Sequence, residues 1–271
     1  HARFQGCHVI ATARRLEVLT ELAGFGMSTV LLDVDKQESI DDAKKQIETI
    51  TDGKLDILVN NAGITYYMPL ADVSLPKVRS LFETNVFSAM AVTNAMLPQL
   101  LASKGLIVNI SSAADRTPFP FKGTYAMTKA ALSSYSRTLS VELAEFDVRV
   151  LNVVTTSFVA TLIGKRAEPD PWPENSLYDS MRFAGQGVGD GQRLSAEDFA
   201  TGVAAEALRG KGWEIGPWRF FGTQESMRLG GMSTLLWILG FLSEGWGRFV
   251  MLRLWPFWML RAAIRAQKKN E

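Results

Sequence analysis

Residues 106–129 read LIVNISSAADRTPFPFKGTYAMTK, and this stretch decides the fold. It opens with an apolar, β-branched run, 106–111, of the kind that forms a strand covered on both faces. Ser111 and Ser112 close the run, and a turn rich in Pro and Phe follows. A helix is expected next, over 122–145, carrying Tyr125-Ala126-Met127-Thr128-Lys129. Residues four apart on a helix share a face, so the Tyr125 phenol and the Lys129 ammonium point the same way. A phenol has an ordinary pKa of about 10, and a nearby cation favours its ionised form. Such a tyrosine can give and take a proton near neutrality. A serine hydroxyl at the strand end can hydrogen-bond a carbonyl oxygen on which negative charge develops. Taken alone, a Tyr-x-x-x-Lys pair occurs by chance in many helices, and strand-end serines often only cap a turn.

Working outward, the same alternation repeats. Apolar runs at 7–13 (CHVIATA), 28–34 (STVLLDV), 55–60 (LDILVN) and 148–154 (VRVLNVV) read as further buried strands. Helical patterns lie between them, near 15–24, 38–50, 75–102, 122–145 and 196–209. Strand–helix alternation implies right-handed crossovers and an α/β, doubly wound parallel sheet. Residues 155–195 break the rhythm with Pro, Gly and Asp and read as a long loop, a length usually reserved for lids and binding loops.

Composition sets the outer limits. The chain has 271 residues, 47% of them hydrophobic and 21% charged, which excludes a disordered or collagen-like chain. A formal net charge of +1 argues against nucleic-acid binding, which needs a clear basic excess. Cys7 is the one cysteine and His1 and His8 the two histidines. An intrachain disulfide is impossible, and a His/Cys metal centre and a Ser-His-Asp triad are disfavoured, so no metal is expected. After about residue 223 the composition shifts again: Trp237, Trp246, Trp255 and Trp258 fall among apolar runs broken by Arg248, Arg253 and Pro256. Neither run reaches the ~18–20 residues of a membrane-spanning helix. Tryptophans with flanking Arg and Lys suit a segment lying in a membrane interface over 229–260; a helical hairpin packed on the core or in a dimer interface is the alternative. The expected organisation is a catalytic domain over 1–222 and an apolar, basic extension over 223–271.

Two further elements stand at the same sheet edge. Asn60-Asn61-Ala62-Gly63 ends the third strand, where a glycine lets a flat ligand approach closely. Asn85, in Glu83-Thr84-Asn85-Val86-Phe87, sits mid-helix, an unfavourable place for Asn unless it binds something such as a water.

In this order and spacing, the Asn-Asn-Ala-Gly turn, the helical Asn, the strand-end Ser and Tyr-x-x-x-Lys resemble the short-chain dehydrogenase/reductase family over roughly residues 6–222. The resemblance implies a Rossmann-like fold, with Tyr125 as catalytic acid/base. It implies that Lys129 lowers the Tyr125 pKa and holds the nicotinamide ribose, that Ser112 polarises the carbonyl, and that Asn85 anchors a proton-relay water. Asn60 would line the cofactor groove, Asp33 would sit by the adenine, and Val159 and Thr161 would contact cofactor. NAD-specific sites place a carboxylate after the second strand of this fold. Here that position reads Arg14-Arg15, and guanidinium suits a 2′-phosphate, so NADP(H) is the expected cofactor.

The family's glycine-rich phosphate loop and the strand before it are not matched. Gly24-Phe25-Gly26 precedes a strand, and 185–191 follows none, so both are decoys. The chain is expected to begin inside the helix after that loop, about 25 residues in, with poor cofactor binding as the consequence. Within the family the resemblance is greatest to fungal NADPH-dependent 1-acyl-dihydroxyacetone-phosphate reductases. It rests on residues 6–17, on Gly53-Lys54-Leu55-Asp56 and on Pro118-Phe119-Pro120-Phe121. The expected activity is therefore NADPH-dependent reduction of an apolar or lipid-like ketone, with Phe119, Phe121 and the 155–195 loop walling the pocket. Reduction of polyketide and other secondary-metabolite ketones is one alternative. A truncated, non-catalytic, membrane-associated chain is the other. The expected setting is the cytoplasmic face of the endoplasmic reticulum or a lipid droplet, or the cytoplasm, with homo-oligomers formed through the helices at 75–102 and 122–145.

Overall fold

A strand buried on both faces needs apolar side chains in both directions, and β4 (Leu106–Ser112) has six of its seven residues buried. In the computed structural model the described residues are 6–155, 171–181, 195–209, 213–215, 218–220, 226–229 and 265. They form β1 (Ile10–Ala13), α1 (Leu16–Gly24), β2 (Ser28–Leu31), α2 (Gln37–Thr51) and β3 (Ile57–Asn60). Next come α3 (Leu75–Phe82), α4 (Ser88–Ser103), β4, α5 (Gly123–Glu142), β5 (Arg149–Thr155) and α6 (Ala196–Ala207). Three short strands follow: β6 (Trp213–Ile215), β7 (Trp218–Phe220) and β8 (Ser226–Leu229). Every strand and helix expected from the sequence through residue 209 has a counterpart.

The central sheet runs β3-β4-β5-β8, all parallel. β1 and β2 pair parallel in a separate two-stranded sheet, and β6 and β7 form an antiparallel hairpin. Among the described residues β1 pairs only with β2 and β3 only with β4, so each keeps one edge without a strand neighbour. Val59 of β3 is accordingly 49% exposed. The two sheets are joined instead by side chains. Val30 and Leu32 share one core cluster with Ile40, Ala43 and Ile47 of α2, Val92, Met96 and Leu100 of α4, and Ile107 and Val150 of the central sheet. The opposite face carries Leu106, Val108, Ile110, Leu151 and Val153 against Val203 and Ala207 of α6. Alternate β4 residues thus serve two cores, as the two-residue period of a strand requires.

Two expectations change. The helix expected over 75–102 is interrupted by a π-helical turn, Glu83–Phe87, that holds Asn85; such turns frequently mark functional sites. The boundary at 222/223 falls too early. Ser226–Leu229 pairs with Asn152–Thr155 as the sheet's edge strand, and Leu229 packs on the α6 core. A segment beginning at 229 therefore includes a core residue; 230–260 lies outside the described residues. Among the described residues the stretch Leu75–Ser103 is long and apolar enough to cross a membrane; Leu81, Val92, Met96 and Leu100 are buried within the protein, whereas Leu75, Phe87 and Leu101 are exposed.

Candidate functional site

Parallel sheets place ligands beyond the carboxyl ends of their strands. Here those ends deliver the Arg14 turn after β1, the Asn61–Gly63 turn after β3, and Ser112 at the end of β4. Helix α5 then returns over β4 and β5 and presents Tyr125 and Lys129 to the same edge. A seam of buried polar contacts fixes α5 there. Asn109 Nδ2 donates to Ser136 Oγ at 2.9 Å, Asn152 Nδ2 donates to Ser133 Oγ at 3.2 Å, and Ser111 and Ser133 share a 2.7 Å hydrogen bond. Among the described residues Asn152 Oδ1 is buried without a partner, so the seam holds α5 in place without being fully satisfied.

The seam separates the two serines. Ser111 is buried and its Oγ also donates to the Lys129 carbonyl at 3.2 Å, so it belongs to the framework. Ser112 is only partly buried; its Oγ accepts from the Ala114 N–H at 3.2 Å, and it lies near enough to the Tyr125 phenol to favour its ionised form. Lys129 is 5% exposed and its Nζ donates to the Ile110 carbonyl at 2.8 Å, its one side-chain hydrogen bond among the described residues. The same Nζ stands 5.7 Å from the centroid of the Tyr125 ring. Tyr125, Ser112 and Lys129 therefore converge.

Their electrostatics differ from the expectation. Burial pushes the Tyr125 phenol above its ordinary value, and the Ser112 hydroxyl opposes this only in part. Burial also brings Lys129 down to about 8. Burial outweighs whatever lowering the Lys129 ammonium exerts on the phenol. That ammonium lies over the ring face and is bonded to a carbonyl, while desolvation disfavours both charged forms. Tyr125 is thus held as a neutral phenol, a proton donor.

Asn85 is 1% exposed and fully engaged. Its Oδ1 accepts from the Ile64 N–H at 2.7 Å, and its Nδ2 donates to the Ile64 carbonyl at 2.9 Å and to Thr128 Oγ1 at 3.0 Å. Both amide protons are spent, so a relay water would not be held by them. Asn60 is similarly occupied: its Nδ2 donates to Asn109 Oδ1 at 2.8 Å and to Thr93 Oγ1 at 3.0 Å, tying β3 to β4 and α4. What Asn60–Gly63 offers a groove is backbone. Arg14 is exposed just past β1. The Asp33 carboxylate pairs with Lys36 at 3.4 Å, and its backbone N–H donates to Ser39 Oγ at 2.9 Å. Val159 and Thr161 lie outside the described residues.

Two observations test whether a nicotinamide cofactor fits. A Cβ at Gly63 would stand 3.3 Å from Asn85 Oδ1 and 3.8 Å from Lys129 Nζ, so the glycine keeps the floor above the ammonium open. Lys129 also has three donors and uses one, an unspent buried cation suited to hydroxyl acceptors such as a ribose diol. The residues present fit the nicotinamide ribose. Gly24-Phe25-Gly26 terminates α1 and leads into β2, so it is no phosphate cradle.

Sequence reasoning missed three contributors. Thr128 bridges Asn85 to α5, and its place between Tyr125 and Lys129 was the available signal. Tyr67 and Trp172 were missed because loops give no periodicity. Tyr67 stacks on Trp172 at 6.1 Å and meets Phe121 edge-on at 5.7 Å; Phe121 meets Trp172 at 5.1 Å and Tyr178 at 5.7 Å. This group shares a cluster with Phe119 and Tyr125, so residues 171–181 of the expected loop do reach the site. Phe121 adopts φ +65°, an outlier for a bulky residue and one that strained sites retain.

A family model described as short chain dehydrogenase matches residues 3–172. The short-chain dehydrogenase fogD of Aspergillus ruber is 35% identical over 226 residues, 82% of this chain and 78% of the relative. The NADPH-dependent 1-acyldihydroxyacetone phosphate reductase of Schizosaccharomyces pombe is 35% identical over 182 residues, 66% of this chain and 61% of the relative. Among solved structures, a short-chain dehydrogenase from Streptomyces avermitilis superposes with a TM-score of 0.74 at 28% identity, covering 99% of this chain and 92% of that one.

Proposed function

Because the chain belongs to the short-chain dehydrogenase family, whose members are oxidoreductases working with a nicotinamide cofactor, we propose that it is an NADPH-dependent reductase of apolar ketones. The single observation that carries this reading is the meeting of Tyr125, whose phenol burial keeps neutral, with Ser112 at the end of β4 and with the Lys129 cation over its ring. Arg14 and Arg15, exposed where a carboxylate would select NAD, support the choice of NADPH. The NADPH dependence carried in the Schizosaccharomyces pombe relative's name supports it too.

When bound, the cofactor supplies the hydride. Ser112 donates a hydrogen bond to the substrate carbonyl oxygen and places it beside the phenol. Tyr125 delivers its proton to that oxygen as charge develops there; preorganised donors aimed at such charge carry much of a reductase's rate. Lys129 holds ribose hydroxyls with its two unspent donors and stabilises the phenolate left behind. The aromatic wall of Tyr67, Phe121 and Trp172 excludes water and receives the apolar body of the ketone.

An acyl-dihydroxyacetone phosphate is the first substrate to try. The ring-lined wall favours a second, a ring-bearing secondary-metabolite ketone, because aromatic faces pair best with planar groups. The apolar segment after β8 supports work at a lipid surface, at the cytoplasmic face of a membrane. Flotation of the full chain on liposomes, lost on deletion of 231–260, tests that placement; a full chain that never floats refutes it.

The decisive experiment follows NADPH oxidation with each ketone at saturating cofactor. Tyr125→Phe should abolish turnover while leaving the affinity for NADPH, read by tryptophan quenching, unchanged. Undiminished turnover by that variant removes Tyr125 from the chemistry. A parent chain that neither binds NADPH nor turns over establishes the non-catalytic alternative.

A further inference from the structure

Helix α5 carries one more buried hydroxyl beside its reactive face. Thr128 is fully buried. Its Oγ1 donates to the backbone carbonyl of Tyr125 at 2.8 Å and accepts from Asn85 Nδ2 at 3.0 Å. Asn85 in turn clamps the backbone of Ile64 through both ends of its amide, at 2.7 Å and 2.9 Å. An unbroken line of hydrogen bonds thus runs from the turn after β3, through the π-helical turn, to the main chain of Tyr125.

Side chains of Ser and Thr that bond back to a carbonyl of the preceding turn bend a helix locally. Here the carbonyl so held is that of the proton donor. Gly63 abuts the same amide: a Cβ there would crowd Asn85 Oδ1 at 3.3 Å. Asn85 has no spare donor with which to replace Thr128.

We propose that Thr128 is a positioning residue: by tying the Tyr125 carbonyl to Asn85 it locks the phenol in register with the turn that floors the cofactor site. The proposal rests on the reading of Tyr125 as proton donor, but its geometry can be tested without turnover. Valine matches threonine in shape and lacks the hydroxyl. It breaks the link and strands one Asn85 amide proton in a dry site.

The test uses the full chain labelled with 13Cζ-tyrosine. There are five tyrosines, and the Tyr125 signal is the one lost in Tyr125→Phe. In Thr128→Val the Tyr125 signal should shift and its ionisation midpoint move, while Tyr66, Tyr67, Tyr135 and Tyr178 stay in place. Ketone turnover should fall by about 10²-fold, the cost of misplacing a reacting group by about 1 Å. Thr128→Ser should restore both. A Tyr125 signal in Thr128→Val superimposable on that of the parent overturns the proposal, as does turnover within about twofold of the parent. If Thr128→Val unfolds, seen as collapse of all five signals, Thr128→Cys replaces it. Its weak donor should displace the Tyr125 signal part-way, and an unmoved signal again overturns the proposal. Full turnover by Tyr125→Phe would defeat the functional reading alone, leaving the NMR comparison to stand or fall by itself.

Discussion

Replacing Lys129 by methionine should make this protein more stable and inactive at once. Burial lowers the Lys129 pKa from 10.5 to about 8. At about 1.4 kcal/mol per pKa unit, keeping the ammonium charged inside the fold costs roughly 3 kcal/mol at pH 7. Methionine fills the same space without that cost. It forfeits the bond to the Ile110 carbonyl, worth about 1–2 kcal/mol. The expected net gain at pH 7 is therefore about 1–2 kcal/mol. The pH dependence makes the test specific. Between pH 8 and 10.5 the unfolded lysine holds a proton that the folded one has released, so the parent gains stability as pH rises through that window. Methionine has nothing to titrate. The advantage of Lys129→Met should be complete below pH 8 and narrow by about 2 kcal/mol between pH 8 and pH 10. Denaturant unfolding of both proteins across this range reads the difference directly, and all other titrating groups cancel. A difference that stays flat with pH, or a variant less stable than the parent at pH 7, would refute the reasoning. Ketone reduction should vanish in the variant throughout.

Three other outcomes follow from the same structure. Among the described residues the Tyr67 hydroxyl is buried without a partner, and its pKa is pushed up to about 12 by burial. Tyr67→Phe should therefore raise unfolding stability by about 1 kcal/mol, and a loss of more than that would show the hydroxyl is satisfied. Gly105 has no room for a methyl group: a Cβ would stand 2.7 Å from the Leu55 carbonyl oxygen and 2.9 Å from that of Asp56. Gly105→Ala should destabilise by about 1–3 kcal/mol, read by thermal unfolding, because backbone and not a side chain must yield. Finally, Tyr125 stays protonated across neutrality while Lys129 loses its charge near pH 8. Ketone reduction should hold from about pH 6 to pH 8 and decline above, whereas alcohol oxidation, which needs the phenolate, should rise with pH; the reverse ordering would contradict the assigned donor.

What could be read in the sequence was periodic or local. The apolar runs ending at Ala13, Asn60 and Ser112 and the four-residue spacing of Tyr125 and Lys129 required only strand and helix geometry; of the three strands only β4 proves buried, β1 and β3 being half-exposed. The π-helical turn around Asn85 has no local signature, because its extra residue is accommodated through Asn85, Ile64 and Thr128, which meet only after folding. The net direction of the Tyr125 shift is not legible in the sequence for a related reason. A cation one turn away predicts an acidified phenol in water, but the depth of burial that outweighs it is a property of the assembled core. The edge strand β8 escaped notice because SMRL is too short and polar to signal a strand; its pairing with β5 supplies what its composition does not. The aromatic wall draws Trp172 from a stretch with no period at all.

The division of the sheet bears on how firmly the site is assembled. Arg14 leaves the end of one sheet and Gly63 the end of the other, and no strand-to-strand hydrogen bonds bridge the two among the described residues. A ladder of backbone bonds fixes spacing and direction, whereas greasy contact is non-directional and tolerates sliding. Among the described residues, the span between the guanidinium and the glycine floor is set by how α2 and α4 pack against Val30 and Ile107. Amide exchange should register this as shallow protection along β1 and β3, whose residues are half-exposed, beside deep protection in the buried β4 and β5.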